Sequence, residues 1–173
     1  MFRKRSGLYC ILTLLFLLIP GHSSFAQRQA ESSLEGLTTI NVRVQLKSDS
    51  DAKGGPTAEQ FQSDVESLLE EAGLKVVSQE EFERLLRSRG YPVALFDLDA
   101  TITKPSDVDF HIFIFNFKVR QAVFLVRKPA VKFLASTWEL NSFGTTNSLP
   151  PLREKVKQAA NQFIQHFKAE NPK

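Results

Sequence analysis

The residues best able to do chemistry in this 173-residue chain are acids set two apart. Asp97, Asp99 and Thr101 alternate with Leu98 and Ala100 in the segment LFDLDATIT, residues 95–103, and Asp107, Asp109 and His111 repeat that spacing shortly afterwards. Alternate residues of an extended strand project to one side. Two carboxylates and an imidazole at 107, 109 and 111 therefore have the reach to share a divalent ion, and equally to form a solvated strand entry. A metal site needs further ligands, and the sequence names none, so no metal and no cofactor is assigned. Asp97, Asp99, Thr101 and Thr103 read as the wet side of an alternating strand whose other side is Phe96, Leu98, Ala100 and Ile102. Trp138 reads as a core or rim residue and His166 as a surface one.

The same nine residues resemble the first signature of the haloacid dehalogenase-type phosphohydrolases, in which an apolar strand ends in Asp-x-Asp-x-Thr. That resemblance implies a Mg²⁺-dependent enzyme. Asp97 would be the nucleophile that accepts a phosphoryl group, Asp99 the general acid/base, and Thr101 part of the phosphate site, with Mg²⁺ held by the carboxylates. In that class the signature closes a buried parallel strand and a loop and helix follow, whereas here the alternation carries on. Ala100 stands where the class has Gly. The class also needs a Ser/Thr, a Lys and a pair of acids on later βα units. The acids that follow Asp99 are Asp107, Asp109, Glu139, Glu154 and Glu170, none of them a close pair after a strand. The phosphohydrolase is the alternative reading; the primary one assigns no catalytic residue.

The elements that position these residues are legible as periodicities. Ile40, Val42, Val44 and Leu46 alternate with Asn41, Arg43, Gln45 and Lys47, which predicts a strand with one buried and one wet side. A Ser/Asp/Lys/Gly linker, residues 48–55, ends it. Thr57 with Gln60 fits a capping box, and Phe61, Val65, Leu68, Leu69 and Ala72 share one helical side, with Gly73 closing the helix. A short strand over 74–77 and a short helix capped by Ser78, carrying Phe82, Leu85 and Leu86 and stopped by Gly90, come next. Three strands follow: about 96–103, about 110–127 and about 131–143. Pro150 and Pro151 start a last helix with Leu152, Val156, Ala159, Phe163 and Phe167 turned inward. The order is β-α-β-α-β-β-β-α, which predicts a single α+β domain, mainly antiparallel, with helices on one face.

The beginning of the chain reads as an export signal. Arg3, Lys4 and Arg5 precede an apolar run over 8–19, and Ser24 and Ala26 occupy the −3 and −1 positions of a cleavage site before Gln27. The run is short for a bilayer span, which needs about 20 residues. The expected organisation is a signal peptide over 1–26, a flexible lead-in over 27–36 and the domain over 37–170. The expected location is periplasmic or secreted. The leader holds three of the 22 basic residues and no acid, so 19 Lys+Arg remain against 19 Asp+Glu. This balance argues against nucleic acid or an anionic membrane surface as the main partner. Cleavage also removes the one cysteine, Cys10, and leaves His111 and His166 as the only histidines, which excludes a His/Cys zinc site by inventory.

The long strand points to a partner. Phe113, Phe115, Phe117 and Val119 read as its core side, yet Phe110, Ile112 and Ile114 are apolar on the other side. Apolar residues on both sides of a strand require cover from the same chain or from another. Phe110, Ile112 and Ile114 are the candidate interface. Thr137-Trp138-Glu139, Gly144, Leu152-Arg153-Glu154 with Val156, Phe163-Ile164 and Asn171-Pro172 are similar to a group of small exported bacterial envelope proteins of unknown function. The order of elements resembles TolB amino-terminal domains. These resemblances imply a non-enzymatic protein-binding or scaffolding role in the cell envelope, with another envelope protein or a second copy as partner.

Overall fold

A computed structural model describes residues 32–48, 54–88 and 92–172. The expected leader and the first part of the lead-in, like Gly90 and most of the 48–55 linker, lie outside these residues. The elements are β1 (Thr39–Ser48), α1 (Ala58–Glu71), β2 (Lys75–Val76), α2 (Gln79–Arg87), β3 (Val93–Thr103), β4 (His111–Leu125), β5 (Lys128–Thr146) and α3 (Pro151–Glu170), with a 3-10 turn at Ser32–Leu34. This is the expected α+β class in the expected order. The five strands form one sheet, β2-β1-β3-β4-β5. β1 runs parallel to both β2 and β3, and β3, β4 and β5 are antiparallel.

Local chemistry sets the helix starts. The Thr57 hydroxyl accepts from the Gln60 amide while the Gln60 side chain accepts from the Thr57 amide, and Ser78 accepts from Glu81. These bonds satisfy N–H groups that no helical turn would satisfy. Phe61, Val65 and Leu69 of α1 and Leu152, Val156, Phe163 and Phe167 of α3 pack on one side of the sheet. There they meet Ile40, Val42, Phe96, Leu98, Phe113, Phe115 and Phe117. Gly144 lies opposite Phe113, and a Cβ there would come within 3.0 Å of its ring.

Helix α2 is the exception to helices on one face. Its Phe82 and Leu85 pack with Val77, Val93 and Leu95, on the side of β3 opposite to Phe96. The reason is topological. The connection from β1 through α1 to β2 steps one way along the sheet, and the connection from β2 through α2 to β3 steps back. Right-handed crossovers in opposite directions put their helices on opposite faces.

Residues 32–36 of the expected flexible lead-in take part in the fold. Leu34 is fully buried in the main core. The Asn171 side chain donates to Leu34 O and accepts from Gly36 N, and Gln121 donates to Ser33 O.

Candidate functional site

The side of the sheet away from α1 and α3, beyond the part that α2 covers, carries Asp97, Asp99, Thr101 and Thr103 of β3 and Ile112 and Ile114 of β4, whereas His111 falls on the other side with Phe113. Cross-strand register sets rows on it. Arg43, Asp97, Lys118 and Glu139 stand side by side on β1, β3, β4 and β5, a row of alternating charge. Gln45, Asp99, Asn116 and Asn141 make the next row, and Lys47, Thr101, Ile114 and Phe143 the one after.

Asp97 corrects the expectation of a solvated outer-face acid, because its residue is only 1% exposed. Arg43 forks onto it, with Nε 2.8 Å from Oδ1 and Nη2 2.7 Å from Oδ2, and Arg120 Nη2 approaches Oδ2 at 3.1 Å. The hydrogen bond to Asp97 raises the Arg43 guanidinium above its already high ordinary range. A bidentate pair of this kind is strong and geometrically fixed. Both Asp97 oxygens are thus engaged by guanidinium groups, the opposite of a carboxylate poised to attack phosphorus. Asp99 is half-buried, and the chain after β3 returns as antiparallel β4 instead of entering a helix.

The second acidic group is dispersed. Asp107 and Asp109 lie exposed in the turn before β4, Asp109 Oδ1 pairs with Lys104 Nζ at 3.3 Å, and His111 is half-buried at the start of the strand. Among the described residues no three His, Cys, Asp or Glu side chains gather closely enough to hold a metal ion. Trp138 is buried against Phe163 and donates from Nε1 to His166 Nδ1 at 2.9 Å, while His166 itself is exposed.

Of the three apolar interface candidates, Ile114 is 45% exposed, while Phe110 and Ile112 are half-buried and Phe110 precedes the strand. The sequence reading missed Phe143. It is 82% exposed and lies directly opposite Ile114 across β4 and β5. The signal was present: in Glu139, Asn141, Phe143 and Thr145 it is the single apolar residue of an outward row.

No protein-family model matches the chain, and no curated protein sequence matches it. Among solved structures it is similar to a dodecamer of a point variant of PelC from Paraburkholderia phytofirmans, with 12% identity over 75% of this chain and 88% of that one and a TM-score of 0.46. A second PelC dodecamer structure from the same organism gives 13% identity over 76% and 87%, with a TM-score of 0.40. The hypothetical protein CT253 from Chlamydia trachomatis gives 8% identity over 77% and 92%, with a TM-score of 0.34. Among the described residues no helix is long and apolar enough to cross a membrane.

Proposed function

We propose that this chain is an exported cell-envelope protein, periplasmic or secreted, that works without catalysis by binding another protein through the open face of its sheet. One observation carries this reading: Ile114 and Phe143 stand exposed side by side beside a polar field whose central acid is already neutralised. An exposed apolar pair rimmed by polar residues is the usual composition of a protein contact.

The test is a pull-down from the cell envelope with the chain beginning at Gln27 as bait, repeated with Ile114→Lys and Phe143→Lys. Both side chains reach solvent, so both variants should fold. The reading expects a captured protein that both variants lose. Retention by both variants would reject the surface. A Mg²⁺-dependent phosphatase activity that vanishes in a folded Asp99→Asn chain would establish the phosphohydrolase instead. For export, the intact mass of the protein recovered from cells should begin at or near Gln27.

A further inference from the structure

The β4–β5 hairpin outruns the sheet. β3 pairs with β4 no further than Ala94 opposite Gln121, whereas β4 and β5 continue to Phe124 opposite Lys132 and Leu125 opposite Lys128. The projecting end is apolar, with Val126 97%, Phe124 51% and Phe133 45% exposed. It is also basic. No acid occurs between Asp109 and Glu139, while Arg127, Lys128 and Lys132 lie at the projecting end. Arg87 of α2 lines the same hollow as Phe124, Pro129, Ala130 and Lys132. Lys132 holds its ammonium 5.8 Å from the centre of the Phe124 ring and donates to Leu86 O, which fixes the hairpin against α2. The even balance of charge from Gln27 onward conceals this segregation.

We propose that this hairpin tip docks on an anionic lipid surface. A stable protein contact covers about 800 Å² per partner, and the exposed large apolar side chains of this tip are three, Val126, Phe124 and Phe133. A lipid interface asks for less: a few apolar side chains entering the acyl boundary and basic groups at headgroup level, where Lys and Arg stems also lie well. Val126 and Phe124 supply the first requirement, and the exposed Arg127, Lys128 and Arg87 the second.

The experiment is co-sedimentation of the chain beginning at Gln27, which keeps every described residue and lacks the apolar run over 8–19. The vesicles are phosphatidylcholine alone and a phosphatidylcholine–phosphatidylglycerol mixture. Binding to the mixed vesicles should be at least about tenfold tighter than to neutral ones and should weaken as salt is raised. Val126→Ser combined with Phe124→Ser should abolish it, and Arg127→Ser with Lys128→Ser should reduce it about tenfold, with unchanged far-ultraviolet circular dichroism. Phe143→Lys should bind as the parent does. Equal binding to both vesicles, no binding, or tip variants that bind like the parent would each overturn the proposal. So would a dimer on size-exclusion chromatography that dissociates in the Val126→Ser, Phe124→Ser chain, because the tip would then serve a protein contact.

Discussion

At the scale of single residues, Asp97 and Asp99 share a strand side and differ in what surrounds them. Replacing Asp97 with Asn leaves Arg43 and Arg120 converging on a neutral group, and breaking a buried pair this way is strongly destabilising. The arginines partly reach solvent, so urea denaturation of Asp97→Asn should show a loss of about 2–3 kcal/mol. Asp99→Asn, at a half-buried position flanked by Gln45 and Asn116, should shift stability by no more than about 0.5 kcal/mol. Equal effects of the two substitutions would contradict the geometry described. Alternation in the sequence places Asp97 on the correct side of its strand. What it lacks is cross-strand register, which brings Arg43 from 54 positions earlier and Arg120 from a different strand over the carboxylate. An outward side chain in a sheet is wet only if its neighbours leave it so.

At the scale of elements, α1 and α3 are joined by Asp64 and Arg153, with 2.7 Å contacts from both Nε and Nη2, and Lys157 lies nearby at 3.7 Å. Hydrogen bonds from Arg153 hold the Asp64 carboxyl below its ordinary range. A depressed folded-state pKa means that the pair stabilises above the unfolded value of about 3.9, and that this contribution is lost as pH falls through the lower folded value. Asp64→Asn should therefore cost about 0.5–1 kcal/mol at neutral pH, discounted because Arg153 reaches solvent, and its deficit should shrink below about pH 3.9. Parallel urea titrations at neutral and acid pH check this, and a deficit independent of pH would reject it. The helix starts at Thr57 and Ser78 and the inward stripe of α3 were legible because caps and 3.6-residue periodicity are local. The length of β5 was not. Its 19 residues depend on β4 being there to pair with, and a bulge next to Val119 and Arg120 shifts its register, so that Thr137 is left to bond Val119 O through its hydroxyl. The face taken by α2 was equally invisible, since it follows from where β3 enters the sheet.

At the scale of the whole molecule, the beginning and end of the described chain meet. Asn171, just after α3, bonds to Leu34 and Gly36 ahead of β1, and Leu34 is buried in the same core as Leu152 and Phe163. The long-range contacts of α3 therefore form only when it reaches back to α1 and to residues 34–36. Until then Phe96, Phe113 and Phe115 have half a cover, and a half-covered sheet gains too little burial to offset its lost conformational entropy. A chain ending at Pro150 should lack the near-ultraviolet dichroism of a fixed Trp138, and persistence of that signal would show that the sheet and α1 suffice. The fold thus works like a clasp: α3 reaches back from beyond β5 to close over rings carried by β3 and β4, so the sheet and its cover are secured by parts of the chain that lie far apart in sequence.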